Sequence, residues 1–465
     1  MGRWAERSKE RTLVDTKSLA QRSYSMSKKP VTTRSGRFLK LAGMTASVAG
    51  QFAGQRARRV LGRESDEERS RQYARMADEI VDTLGELKGA VMKVGQVASQ
   101  TQDFLPKEFS DALQRLQKEA PPMPFEVIRQ QVEAELGAPL DELFEEIREE
   151  PYAAASIGQV HRARMKDGTE VIVKVQYPGV DESCDSDLKQ LRMALRFGGL
   201  LRMPKESADR LFEEIRIRLK EELDYENEAS NLRRFRDYHQ RHPWVIIPRV
   251  IDSHSTRHVL TLELAEGDHL RQVTPERYSQ ETINLLGERL FVTMADELFD
   301  FQCIHGDPHA GNFAFRPDGT LILYDFGCVK SLRPSVVAHY RQALIAALDE
   351  NYEALDRHLI DLGARVAEKP AITPDYYAMW RNMLIEPFDG DEPYDFGRSD
   401  LHQQIAAHTH TVFRYLDRLQ PAVDSMFIDR MVAGHYWILK QLGVQAAFRR
   451  HLESYLRDEP ATAST

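Results

Sequence analysis

The sequence predicts an α+β chain with two lobes: a small lobe rich in strands, then a large lobe that is almost wholly helical, with a helical extension in front. Three observations predict it. Between Ala153 and Leu264 the apolar residues recur with the two-residue period of strands, interrupted by a charge-rich helical run from Ser207 to Tyr238. From Pro275 to Leu456 helical texture dominates, broken by one strand-and-turn passage around residues 303–325. The run Glu119-Ala-Pro-Pro-Met-Pro-Phe125 separates this body from a helical pattern over residues 66–120, because prolines cannot continue a helix.

Composition supports a folded chain. Of 465 residues 42% are hydrophobic, enough for a sizeable core, so wholesale disorder is excluded. With 26 Gly and 21 Pro, collagen-like and linker-like classes are excluded too. Cys184, Cys303 and Cys328 are far apart and carry no metal-binding spacing, which points to a reducing compartment rather than a disulfide framework. No window of 18 apolar residues occurs, and Leu41–Gln55 is too short and too rich in Ala and Gly to span a bilayer. Charge is unevenly spread. Residues 1–63 hold 15 Lys/Arg against 3 Asp/Glu, although the whole chain carries −9. A basic leader on an acidic body suits a membrane surface, a targeting segment or nucleic acid; no nucleic-acid-binding motif is present.

The elements follow in order. Residues 1–63 read as a basic leader ending in a weakly apolar, membrane-associating helix over 37–63. Residues 64–150 form the helical extension, with a helix over 125–136 and a shorter one after Pro139. Residues 151–266 form the strand-rich lobe, whose Lys166-Asp-Gly-Thr is a hairpin turn between two alternating runs. Residues 267–465 form the helical lobe, opened by a long helix over 275–301 and carrying a second turn, Arg316-Pro-Asp-Gly-Thr.

The chemistry concentrates in His305-Gly-Asp307-Pro-His309-Ala-Gly-Asn312 and Asp325-Phe326-Gly327. Phosphoryl transfer needs an acidic residue at the nucleophile and hard oxygen ligands around Mg²⁺. Asp307 and Asn312 keep the five-residue step of a kinase catalytic loop, and Asp325 follows after a hairpin. Asp307 is therefore the candidate catalytic aspartate, and Asn312 and Asp325 the candidate metal ligands. In Val171-Ile-Val-Lys174-Val the lysine shares a face with Ile172, opposite three valines, as in the strand whose lysine meets nucleotide phosphates. The acidic run Lys220-Glu-Glu222-Leu-Asp224-Tyr-Glu-Asn-Glu228 offers that lysine a partner, but spacing alone does not choose one. Ala153-Ala154-Ala155-Ser156-Ile-Gly158 stands where a glycine-rich phosphate loop is expected, and its alanines restrict how closely the backbone can wrap. Thr261-Leu-Glu263-Leu-Ala-Glu-Gly267 has the texture of an adenine-facing hinge. The order of these pieces is that of a protein-kinase-like fold.

Together they resemble the UbiB/ADCK (aarF-domain) family of atypical kinases. The Ala-Ala-Ala-Ser-Ile-Gly-Gln-Val-His stretch, the His-x-Asp-Pro-His-x-Gly-Asn loop and the Asp-Phe-Gly carry the resemblance. So do two further motifs, Lys93-Val-Gly95-Gln96, similar to the family's KxGQ, and Glu222-Leu-Asp224, similar to its ExD. The match is close over residues 75–345. It implies that the extension covers the active site, that Lys93 meets Glu222 and Asp224, and that Glu228 pairs with Lys174. It further implies ATP or ADP and Mg²⁺ as cofactors, protein phosphorylation suppressed by KxGQ, and a role in coenzyme Q biosynthesis or membrane lipid homeostasis. Ala310 departs from the proline many members have. The C-terminal transmembrane pair of some bacterial members is not seen.

The expected partners are membrane lipids, bound peripherally through the basic N-terminus, and quinone-pathway enzymes or lipid intermediates, with no nucleic acid. Gly50-x-x-x-Gly54 hints at helix pairing in a homodimer. The expected site is the bacterial cytoplasm at the inner membrane, or alternatively the matrix face of the mitochondrial inner membrane. Two other functions compete: a small-molecule phosphotransferase of the aminoglycoside or choline kinase type, and a nucleotide-switched scaffold without catalysis.

Overall fold

The computed structural model describes residues 34–60, 75–76, 79, 83, 122–154, 157–197, 205–420 and 422–457. They form two compact units. One takes the described residues up to Leu140 together with Arg148–His161 and Lys174–Leu223; the other takes Asp141–Ile147, Arg162–Val173 and the chain from Asp224 onward. The architecture is mixed helix and sheet, as the sequence predicts.

Among the described residues the elements begin with α1 (Arg34–Val60), α2 (Phe125–Leu136) and α3 (Leu140–Leu143), followed by β1 (Phe144–Ile147), β2 (Ala153–Ala154), β3 (Gly158–Met165) and β4 (Glu170–Gln176). Helix α1 is the weakly apolar helix of the leader. It packs along α4 (Val180–Phe197), and its Leu41, Met44 and Val48 are buried. These residues recur at helical spacing and make one stripe. This stripe is thus covered by protein. No helix among the described residues is long and apolar enough to cross a membrane.

Strands β1, β3, β4 and β6 (Val259–Glu263) lie in that order in one sheet, with β2 paired to β3. The β3–β4 hairpin turns where the sequence places it. Gly168 adopts φ +86°, Gly168 N donates to Met165 O and Thr169 N donates to Asp167 Oδ1. A left-handed residue after an aspartate that bonds its own backbone is a self-contained turn.

The charge-rich run expected as one helix is two: α5 (Lys205–Glu222) and α6 (Tyr225–His239). The break falls at Asp224, whose side chain accepts a hydrogen bond from Asn227 N at 3.0 Å and so caps α6. A capping aspartate costs the helix its continuity but satisfies an otherwise orphaned N–H.

The second sheet runs β5 (Val245–Ile246), β10 (Leu321–Leu323), β9 (Phe313–Phe315) and β7 (Asp268–His269). A separate antiparallel pair joins β8 (Cys303–His305) to β11 (Val329–Ser331). Helix α7 (Gln280–Phe299) begins at Ser279, whose hydroxyl accepts from Thr282 N, and buries Leu286, Leu290 and Leu298 in the core of this unit. Beyond it come α8 (Pro334–Leu348), α9 (Tyr352–Asp361), α10 (Pro374–Ile385), α11 (Leu401–Val412), α12 (Val423–Leu442) and α13 (Arg449–Arg457), with the short pair β12 (Tyr394–Asp395) and β13 (Gln445–Ala446) between them.

Candidate active site

Two backbone ladders hold the candidate catalytic segments opposite each other. At one end β8 pairs with β11, His305 facing Val329, and Gly306 N extends the ladder to Cys328 O at 2.8 Å. At the other end the β9–β10 hairpin sets Phe313 against Leu323, and Tyr324 N extends it to Asn312 O at 3.0 Å. Residues 307–311 and 325–327 lie between these two clamps. The sequence pattern thus becomes a fixed opposition of Asp307 and Asn312 to Asp325. The hairpin turn at Gly319, φ +87°, repeats the chemistry of the first, with Thr320 N donating to Asp318 Oδ1.

Within the loop each residue has a task. Asn312 Nδ2 donates to Asp307 O at 2.9 Å, which leaves the amide oxygen as an acceptor. His309 Nδ1 accepts from Gly311 N at 3.0 Å, bracing the turn. Asp325 Oδ1 accepts from Gly327 N at 3.0 Å. His305 is buried; its Nε2 reaches Asp325 O, while its own N–H donates to buried Glu297 Oε2 at 2.9 Å. Phe326 is fully buried, with ring centroids 5.1 Å from His305 and 4.7 Å from Phe235 of α6. Asn231 Nδ2, also on α6, donates to Phe326 O at 3.0 Å. Helix α6 is therefore docked on the Asp-Phe-Gly segment by an aromatic contact and a hydrogen bond.

That docking brings Glu228 in. It is 2% exposed, and its Oε2 would lie 3.8 Å from a Cβ placed on Gly327. Lys174 stands on β4 in the other unit. Val171, Val173 and Val175 are fully buried on one face, while Ile172 and Lys174 are half-buried on the other, the alternation the sequence predicts.

Other candidate residues take part in local structure as well. Gly158 is buried, and a Cβ there would sit 2.2 Å from Val175 O, so β3 approaches β4 too closely for a side chain. Ala153 and Ala154 pair with Val160 and Gln159 in a short ladder. Gln159 Oε1 accepts from Met123 N at 3.0 Å, and His161 Nδ1 bonds Arg148 O at 2.8 Å. Burial holds the His161 imidazole below its usual pKa and hence neutral. Glu263 ends β6. Its carboxylate accepts from Arg249 Nε at 3.0 Å, and its N–H donates to Arg249 O at 2.9 Å. Glu222 closes α5. Lys93, Gly95, Gln96, Ala155 and Ser156 lie outside the described residues.

One contact at the site had no signal in the sequence. Arg430 of α12 forms an ion pair with Asp307. The same helix presses Gly434 on the catalytic loop, where a Cβ would lie 2.4 Å from Pro308 Cγ and 2.6 Å from Pro308 O. Neighbouring His435 is buried, its Nδ1 donates to Met431 O at 2.8 Å, and its ring meets Phe313 edge-on. Burial lowers its pKa to about 4. An arginine more than a hundred residues from Asp307 cannot be paired with it by local spacing.

A His-Gly-Asp loop clamped against Asp-Phe-Gly, with an acidic helix docked on the latter, defines a kinase-like chain. Residues 115–359 match the description "ABC1 atypical kinase-like domain", and the chain belongs to that family, the UbiB/ADCK aarF group. It is 30% identical over 460 residues to "Atypical kinase COQ8, mitochondrial" of Schizosaccharomyces pombe, covering 96% of this chain and 74% of that protein. It is 28% identical to "Probable serine/threonine-protein kinase abkA" of Dictyostelium discoideum, covering 88% of this chain and 77% of that one. The Rv3197–erythromycin complex from Mycobacterium tuberculosis has a similar structure, with a TM-score of 0.59, 29% identity, and coverage of 85% of this chain and 98% of that one.

Proposed function

We propose that this chain binds ATP with Mg²⁺ and hydrolyses it, or transfers its γ-phosphoryl group, in support of coenzyme Q biosynthesis or membrane lipid homeostasis. The observation that carries the reading is the double clamp that sets Asp307 and Asn312 opposite Asp325. An aspartate carboxylate and an amide oxygen form a hard donor set, which fits a small divalent cation. Asn312 and Asp325 would hold Mg²⁺, which when bound neutralises phosphate charge. Asp307 would orient and take the proton of the attacking hydroxyl. The buried Glu228 at Gly327, borne on α6, would steady the Asp-Phe-Gly segment. The covered stripe of α1 leaves attachment to anionic lipid to the basic leader, an electrostatic contact that salt weakens.

The test is an ATPase assay on the full chain, with and without anionic liposomes, beside calorimetric titration of ATP and ADP with Mg²⁺. The expected result is Mg-dependent nucleotide binding and lipid-stimulated hydrolysis that Asp307→Asn abolishes. Absence of Mg-nucleotide binding would overturn the reading. Mg-nucleotide binding with hydrolysis no greater in the parent than the background left in Asp307→Asn would replace it with a nucleotide-switched scaffold, and stoichiometric transfer to a soluble alcohol would replace it with a small-molecule phosphotransferase. Lys93, as the KxGQ lysine, is proposed to suppress protein phosphorylation. Phosphate incorporation should then appear in Lys93→His, and none would refute this part.

A further inference from the structure

Helices α8 and α9 form a tight hairpin outside the catalytic segments. Its connection is short: Glu350 takes φ +54°, Asn351 N donates to Ala346 O at 2.8 Å, and the Asn351 side chain accepts from Ala354 N at 3.1 Å to cap α9. This fixes the register of the two helices. His339 of α8 is thereby placed against His358 and Asp361, which lie one turn apart on a single face of α9.

The three side chains converge on one point. His339 Nδ1 lies 3.3 Å from His358 Nδ1 and 3.4 Å from Asp361 Oδ2, and His358 Nδ1 lies 4.0 Å from Asp361 Oδ2. Zinc binds imidazole nitrogen and carboxylate oxygen at about 2.0–2.1 Å, so the edge of a tetrahedral site is about 3.3–3.4 Å. Two of the three edges already have this length. The third, at 4.0 Å, ends on Asp361, whose side chain is 49% exposed at the last residue of α9. Hydrogen bonding accounts for the cluster less well. His339 Nδ1 faces both a second imidazole Nδ1 and a carboxylate oxygen, and one N–H cannot point at both.

We infer that His339, His358 and Asp361 form a binding site for a zinc-class divalent ion that clips α8 to α9. Two imidazoles and one carboxylate suit zinc and its neighbours rather than Mg²⁺, which prefers oxygen alone. The ligand side chains are 36%, 25% and 49% exposed, so the fourth position opens to water.

The full-length chain, stripped of metal, is titrated with Zn²⁺ by calorimetry in excess Mg²⁺. Co²⁺ then serves as a spectroscopic probe for tetrahedral nitrogen and oxygen ligation, and thermal unfolding is followed with and without Zn²⁺. One equivalent of Zn²⁺ should bind and raise the melting temperature, with intense visible absorption for Co²⁺. His339→Gln and His358→Ala should each weaken Zn²⁺ by more than the roughly 10–100-fold that groups around a metal's ligands control. Asp325→Asn should leave this equivalent in place. Folding of each variant is checked by circular dichroism, and the two histidine changes act as independent tests. No stoichiometric Zn²⁺ binding, equal affinity in both histidine variants and the parent, or loss in Asp325→Asn alone would overturn the assignment.

Discussion

Two stretches of this chain carry its densest motifs, and they use polar residues in opposite ways. In residues 158–161 the polar groups turn inward. Gln159 is fully buried and bonds Met123, while His161 bonds Arg148 O. In residues 305–327 the backbone is also held by ladders at Gly306–Cys328 and Asn312–Tyr324, and although His305, His309, Asn312 and Asp325 bond within the segment, the Asp307 side chain remains half-exposed. A motif whose polar side chains are consumed by structure is an anchor. One whose backbone is consumed instead leaves its side chains for chemistry. The difference separates residues whose loss should unfold the chain from those whose loss should stop the reaction.

The sharpest way to break that contrast is Asp307→Asn. The ladders do not depend on its carboxylate, so the fold should stay intact, with the melting temperature lowered by no more than the half-exposed Arg430 pair contributes. Turnover should fall by about 10²–10⁴-fold, the range a positioned acid or base contributes. Steady-state kinetics beside a thermal melt checks both halves. A loss of stability comparable with the loss of rate would place Asp307 among the anchors.

What the sequence made legible follows the same division. Both Asp-Gly-Thr hairpins were readable because the turn is built from adjacent residues. The β4 alternation was readable because strand burial has a period of two. The α5–α6 break was not, because periodicity does not distinguish an aspartate inside a helix from one that caps the next. Nor was the use of α1: an apolar stripe states that something covers it, and only the fold shows that α4 does. Arg430 and Gly434 were invisible for a third reason. Their partners Asp307 and Pro308 lie far away in sequence, and neither residue carries a local pattern.

His435 provides a test of the inward class by pH. Burial drives its pKa from 6.5 down to about 4, so the folded state prefers the neutral imidazole. The folded pKa is below the unfolded one; its contribution is complete above pH 6.5 and is lost as pH falls toward 4. The full difference is about 3 kcal/mol. Urea unfolding at pH 7.5 and 4.5, compared between the parent and His435→Asn, should show a smaller acid loss in the variant. Parallel pH profiles would remove His435 from the groups that set acid stability.

Gly434 lies between the two classes, since it touches the catalytic loop without doing chemistry. Alanine in a helix interior ordinarily gains about 1 kcal/mol over glycine. Here its Cβ would meet Pro308 O at 2.6 Å, a backbone atom that can move only with the loop. Gly434→Ala should therefore destabilise by about 1–2 kcal/mol net, in the range of overpacked sites, and reduce turnover by shifting Asp307. A stabilised and fully active variant would show that the loop yields without cost.

The smallest expected effect belongs to Arg430. Its ion pair with Asp307 joins side chains that are each 38% exposed, and exposed pairs contribute about 0.2–1 kcal/mol. If Arg430 only orients Asp307, Arg430→Ala should lower turnover by no more than about five-fold, with the deficit shrinking as salt screens the pair in the parent. In an Asp307→Asn background the same change should have no further effect, because its partner charge is gone. An arginine that stabilises the transferred phosphoryl group would behave differently, costing about 10³–10⁵-fold. Kinetics of the two single variants and the double variant separate these roles. A large loss that persists without the Asp307 carboxylate would move Arg430 from a residue that positions Asp307 to one that meets the substrate itself.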